Sequence, residues 1–158
     1  MMSVLRGTGL TPAQTWSIAL TSAYFCKSSE LADALKAAGS DHLSQLEIDD
    51  AQAAAAIMGM NTAYYRFRHL IEIPEYQTIK ANLRMNRMMS PATSKLQFEL
   101  CAMACAVLAG CQMCLQAHEK ALIEQGLTQS QIHDAVRIAS IVAGVDVAVN
   151  FSRIEGAD

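Results

Sequence analysis

In this chain Ser44, Ser94 and Thr128 each stand three residues before a Glu or Gln at the head of an apolar run. The stretches are Ser44-Gln45-Leu46-Glu47, Ser94-Lys95-Leu96-Gln97 and Thr128-Gln129-Ser130-Gln131. This is the reciprocal capping pattern of helix N-termini, in which the two side chains satisfy backbone N–H groups that the first turn leaves free. Such starts commit the long apolar stretches to helix. They predict helices from Ser44 towards Leu70, from Ser94 to Ala109, and from Thr128 to about Phe151, the last with Ile132, Val136, Ala139, Val142 and Ala143 on its apolar face. Thr11-Pro12 reads as an N-cap with proline in the first turn of a further helix to about Cys26, where Trp16, Leu20 and Tyr24 share a packing face. Ser29 is expected to cap Glu30 to Ala38, closed by Gly39. Pro74 ends the Ser44 helix. Glu75 to Met89 is predicted to hold one short helix, about Tyr76 to Ala81, then irregular chain, with Ser90-Pro91-Ala92-Thr93 as a connection. The tail, Glu155 to Asp158, is expected to fray. No segment reads as a strand or a linker.

Composition narrows the packing. The apolar fraction is 52% and is carried by Ala, Leu, Ile and Met, while aromatics are only 6%, a mixture that favours packed helices. With 158 residues the chain is long enough to bury a core unaided, so 1–158 is read as one all-α helical bundle domain. The apolar excess points to burial between subunits. Ala51 to Met58 is apolar nearly all round and is expected to be central. Ala54 to His69 overlays Cys105 to Lys120 with Gly59 on Gly110, the pattern of a degenerate helical repeat. On that register Met60, Ala63 and Phe67 replace Cys111, Cys114 and His118, so the first copy keeps a scaffold without chemistry.

Charge and cysteine usage exclude several classes. The net charge is −3, and the densest basic cluster, Arg66, Arg68 and His69, is too short to argue for nucleic acid. Five cysteines make an odd count without the regular spacing of a secreted framework. Beyond Arg6, residues Thr11, Pro12, Gln14, Thr15 and Ser17 interrupt any signal-peptide core. The longest uncharged apolar run, Leu100 to Cys114, falls short of a membrane span. The expected setting is a reducing cytoplasm, without membrane or nucleic-acid partners, where a C-x-x-C pair is more often catalytic or metal-binding than structural.

That pair is Cys111 and Cys114, followed by His118 as C-x-x-C-x-x-x-H. Gly110 breaks the preceding helix, which places Cys111 in the first turn of a new one running to about Gln125, with Gly126 as terminator. Cys114 and His118 then share a helical face, whereas Cys111 lies roughly 10 Å from His118 at 1.5 Å per residue. A positive helix end and a nearby imidazole both favour thiolate over thiol. The arrangement supplies two thiols able to close a disulfide and a base beside the second. Other readings stand beside this one. Cys101 and Cys105 could complete a zinc site, although small buried cysteines are the ordinary explanation, as for Cys26. Met58, Met60, Met85, Met88 and Met89 read as core or subunit contacts, and Arg84 and Asn86 as braces of helix ends or an interface.

The chain resembles the alkylhydroperoxidase D family of the carboxymuconolactone decarboxylase-like superfamily. The resemblance runs from about Leu31 to Val149. Its motifs are AAAIMGMN at Ala54–Asn61, YYRFR at Tyr64–Arg68, LRMN at Leu83–Asn86, FEL at Phe98–Leu100 and GCQMCLQAHE at Gly110–Glu119. It implies an all-helical fold, commonly a homotrimer, with no bound cofactor. It further implies that Cys114 attacks an organic hydroperoxide and becomes a sulfenic acid, and that Cys111 protonates the leaving group and then closes the disulfide. His118, supported by Glu99 and a water, would relay the thiol proton. Electrons would come from dihydrolipoamide on a dehydrogenase component, and a peroxiredoxin is the implied partner.

The residues themselves agree in part. His118 is placed for Cys114, which favours the second sulfur as attacker, whereas helix position alone favours Cys111. Glu99 lies about 16 Å before Gly110 and His118 about 12 Å after it, so a hairpin at Gly110 brings carboxylate and imidazole to similar depth. One departure stands out. Family members can carry a histidine immediately before the second cysteine, where this chain has Met113, so the relay would rest on His118 alone. The expected function is an alkyl hydroperoxide reductase. The alternatives are a dithiol/disulfide exchange protein and a non-enzymatic redox- or zinc-responsive binding protein.

Overall fold

The structure, a computed structural model, describes residues 1–5 and 7–155. Nine helices are present among the described residues, and no strand. They are α1 (Met2–Leu5), α2 (Pro12–Phe25), α3 (Ser29–Ala38), α4 (Gln45–Ile71), α5 (Pro74–Thr78), α6 (Asn86–Met89), α7 (Lys95–Ala109), α8 (Gln112–Glu124) and α9 (Gln129–Glu155). The expected tail beyond α9, Gly156 to Asp158, lies outside the described residues.

Two helices are buried all round. In α7 every residue from Gln97 to Ala106 is buried, and in α2 every residue from Thr15 to Ala23. An all-apolar helix must be surrounded to be stable, and α7 is: it packs against α2, α4, α8 and α9. α2 adds contacts with α3, α4 and α9. The core between them holds Ile18, Leu20, Leu35, Leu100, Leu122, Ile138 and Val142. α4 differs from expectation. Ala51, Ala54, Ala55 and Met58 are buried, but Gln52, Ala56 and Gly59 are exposed. Alanine tolerates either side, so an apolar composition did not make this helix central.

Caps behave largely as the sequence implies. The Ser44/Glu47 and Thr128/Gln131 pairs close in both directions. Ser94 Oγ accepts from the Gln97 backbone N–H, but the Gln97 side chain turns away and donates to Ser17 Oγ at 2.7 Å and to the Ala13 carbonyl at 3.1 Å. A buried carboxamide between two central helices gains more from linking them than from its own cap. Thr11 and Gln14 form a third reciprocal cap. The α3 cap moves to Ser28, whose side chain makes no capping bond.

The 74–93 region departs most. Instead of one helix over Tyr76 to Ala81 there are two short ones, α5 and α6. α5 is tied to α4, since Arg68 Nη2 donates to the Gln77 carbonyl and Gln77 Nε2 donates to the Arg68 carbonyl. α6 and the following turn are gathered by one buried carboxylate. Asp50 accepts from Arg87 Nε at 2.8 Å, Ala92 N–H at 3.0 Å, and Thr93 N–H and Oγ1 at 2.8 and 2.7 Å. Burial opposes ionisation of Asp50, yet these hydrogen bonds outweigh it and hold its carboxyl below the usual range. The repeat does not carry into the backbone. Gly59 sits inside the unbroken α4, whereas Gly110 separates α7 from α8, because only Gly110 takes the left-handed conformation, at φ +62°.

Candidate active site

Gly110 is where the site begins. Its N–H bonds the Val107 carbonyl at 3.0 Å and the Cys111 N–H bonds the Ala106 carbonyl at 3.1 Å, the paired closure of a helix that ends in a left-handed residue. α7 stops and the chain reverses into α8. Arg66 Nη1 reaches across from α4 to the Ala109 carbonyl at 3.1 Å and satisfies another acceptor at the corner.

The reversal sets Cys111 at the N-cap of α8 rather than within its first turn, since its backbone is extended at φ −91°, ψ 95°. Cys114 is therefore the third helical residue. Its amide is among those that the helix leaves free, and the positive end of the helix dipole lies within one turn. The preference of helix position for Cys111 is thus weaker than the sequence implied. The two sulfurs are joined as a disulfide, with the α-carbons 5.3 Å apart, inside the ordinary range for such a bridge. Both cysteines are buried and pack against Met58, Ala102, Cys105 and Ala106.

The hairpin also brings Glu99 and His118 together. His118 Nδ1 donates to Glu99 Oε2 at 2.6 Å, and both side chains are buried. A buried carboxylate needs such a partner. The bond fixes the ring and assigns the Nδ1 proton, leaving Nε2 as the free acceptor. His118 and Cys114, one turn apart on α8, line one cavity of about 270 Å³ with Met58, Asn61, Tyr65, Met85, Met88, Met113 and Ala117. A second cleft of about 170 Å³ opens on Cys111 instead, between Arg66, His69, Leu70, Gly110 and Gln112. Tyr65 and Met113 line both. A larger groove, beside Gln52, Gly59 and Ala63 of α4, lies outside this arrangement.

The other thiols are of a different kind. Burial drives Cys101 up to about 12 and Cys105 well above its ordinary value, and half-buried Cys26 is raised by burial and by Asp146. Thiols so placed stay protonated at neutral pH and are poor nucleophiles. Among the described residues, no three His, Cys, Asp or Glu side chains converge as a metal site, and no helix is long and apolar enough to cross a membrane.

All four sequence-selected residues, Cys111, Cys114, His118 and Glu99, meet at the α7–α8 hairpin. The α4 and α6 walls were not singled out as part of the site. Met58, Asn61 and Tyr65 fall at helical spacing on one face of α4, and a polar residue inside that stripe was the available signal. Met85 and Met88 line the cavity, Met88 also packing against the core as expected, while Met89, Arg84 and Asn86 are exposed.

Fold and site together define a class, an all-helical protein with a C-x-x-C dithiol/disulfide centre beside a buried histidine–carboxylate couple. The model of the carboxymuconolactone decarboxylase family matches residues 74–154. Relatives named alkyl hydroperoxide reductase AhpD include one from Anaeromyxobacter dehalogenans (strain 2CP-C), 41% identical over 152 residues, covering 96% of this chain and 82% of the relative. Others come from Rhodospirillum centenum, 39% identical over 90% of this chain and 77% of the relative, and from Maricaulis maris, 40% identical over 92% and 84%. The chain belongs to the carboxymuconolactone decarboxylase family, on its alkyl hydroperoxide reductase AhpD branch.

Proposed function

We propose that the chain is a thiol-dependent alkyl hydroperoxide reductase centred on Cys114. The observation that carries this reading is the shared cavity. One apolar chamber holds Cys114 at a helix N-terminus and His118 oriented by Glu99, with a second thiol already within disulfide reach. In the reduced protein His118 Nε2 takes the Cys114 proton, directly or through water. The thiolate attacks the terminal oxygen of R–O–O–H. The S–O bond forms as the O–O bond breaks, sulfur is oxidised to the sulfenic acid, and Cys111 protonates the departing alkoxide to give ROH. The Cys111 thiolate then displaces hydroxide from the sulfenic sulfur, which leaves as water after protonation, and the disulfide closes. An external dithiol, dihydrolipoamide on a dehydrogenase component, returns two electrons by exchange. Met113 leaves His118 as the relay's single histidine. A peroxiredoxin partner, a cytoplasmic setting and a homotrimer complete the proposal. Exposed Leu70, Met89 and Phe151 offer apolar surface of the kind that subunit contacts bury.

The test is to mix fully reduced, metal-analysed protein with an organic hydroperoxide and map the thiols by mass. One peroxide consumed per chain, with Cys111–Cys114 oxidised and Cys26, Cys101 and Cys105 intact, is the expected result. Cys114→Ser should abolish consumption. Cys111→Ser should consume one equivalent and stall as sulfenate or over-oxidise. Loss of the first step in the Cys111 variant alone would reverse the two roles. Persistence of peroxide alongside rapid exchange with a dithiol would make the protein a disulfide carrier, and stoichiometric zinc would favour the binding protein.

A further inference from the structure

The cavity over Cys114 is walled by four methionines, a tyrosine ring and an alanine, and its buried polar wall groups are His118 and Asn61. His118 is engaged with Glu99. Asn61 is not engaged to match its burial. It is 5% exposed, its Oδ1 has no hydrogen-bond partner among the described residues, and its Nδ2 lies 2.9 Å from Met85 Sδ. A thioether is a weak acceptor. Turning the amide over leaves an N–H₂ group facing the unpartnered side and an oxygen facing sulfur, so neither orientation satisfies it. An unpaired buried amide carries a free-energy cost, because it has given up its hydrogen bonds to water without replacement. That cost calls for an explanation in the wall of the cavity that Cys114 also lines.

We propose that Asn61 binds the hydroperoxide group itself, its Oδ1 accepting the terminal O–H and its Nδ2–H donating to the alkyl-bearing oxygen, with Met85 as the contact the substrate displaces. The inference rests on the reductase reading of the same site. A carboxamide offers an acceptor and a donor side by side. A hydroperoxide offers a donor and an acceptor on adjacent oxygens, and the two match edge to edge. The alkyl group then lies among Met58, Met85, Met88 and Met113, whose unbranched side chains adapt to varied shapes. As Cys114 sulfur bonds to the terminal oxygen and the O–O bond breaks, negative charge gathers on the alkyl-bearing oxygen that Nδ2–H contacts, and Cys111 protonates it to the alcohol. A fixed donor at a developing oxyanion acts on the rate more than on ground-state binding. The product alcohol has one oxygen and cannot span both amide groups, so it is held more weakly than the substrate.

The experiment compares two reactions of Cys114 in reduced protein, oxidation by tert-butyl hydroperoxide and alkylation by iodoacetamide, with alkylated cysteines mapped by mass. Asn61→Leu keeps the branched shape of the side chain and removes both polar groups. It should slow the peroxide reaction by about tenfold to a hundredfold and leave alkylation of Cys114 within about twofold, an order-of-magnitude allowance for indirect effects. Equal loss in both reactions would make Asn61 a structural residue, and no loss in either would remove it from substrate binding. Met85→Leu, which frees Nδ2 without touching Asn61, should raise the ratio of peroxide reaction to alkylation. An unchanged or lower ratio would overturn the proposal even if Asn61→Leu did not fold. Wild-type protein that fails to react with the hydroperoxide would instead overturn the reductase reading, and this role with it.

Discussion

His118 gives one ring nitrogen to Glu99 and has only the other to offer Cys114, so its value to the reaction is as a held base. Replacing it by Gln keeps a polar side chain of similar reach and removes the proton acceptor. His118→Gln is therefore expected to move the pH profile of peroxide loss to higher pH, because the thiolate must then form without a local base. The measurement is the single-turnover rate from about pH 5 to 9. An unchanged profile would take His118 out of the relay. Cys101 and Cys105 serve as internal controls at this scale. Burial keeps both protonated, so they should stay unmodified while the pair reacts.

Left-handed residues join several elements of this fold, and three of them, Lys27, Glu72 and Asn82, carry side chains. α7 and α8 each end on a glycine with positive φ, Gly110 and Gly126. α2 ends in the same way at Lys27, φ 62°, whose N–H bonds the Tyr24 carbonyl while the Ser28 N–H bonds the Ala23 carbonyl. A side chain in this conformation costs about 1–2 kcal/mol, partly offset by the unfolded-state entropy that glycine would bring. Lys27→Gly should therefore stabilise by about 0.5–1 kcal/mol and raise Tm by a few degrees, read by thermal unfolding. A fall in Tm would mean that the lysine stem contributes packing that outweighs its backbone strain. Gly110 and Gly126 were legible as terminators because glycine announces a left-handed turn. Lys27 was not, because nothing in its chemistry does. The same limit explains α5 and α6, whose positions follow from Arg68 and Asp50 on α4 rather than from their own residues.

At the scale of the molecule, Asp50 ties α4 to the 87–93 segment and so to the Met88 wall of the cavity. Its folded pKa is lowered from 3.8, so the unfolded chain takes up the proton first as pH falls. The stabilisation is fully present above about pH 4 and drains away as pH drops through the lower folded value. Asp50→Asn should cost about 1–3 kcal/mol at pH 7, and its deficit against wild type should narrow in acid, measured by urea unfolding at stepped pH. A constant deficit would assign the effect to shape rather than charge. The helices from Thr11 to Ile71 and from Ser94 onward, and the four residues of the hairpin, could be read from spacing, since caps and same-face intervals are local. The cavity could not. Its walls join α4, α6 and α8 through long-range contacts, and Asn61 looked like one polar residue in a core helix. The two openings have a consequence for traffic. Cys114 faces one chamber and Cys111 the other, with Tyr65 and Met113 as the partition. In the proposed cycle an alcohol can still be leaving by one door while a dithiol arrives at the other, so oxidant and reductant need not queue for a single entrance.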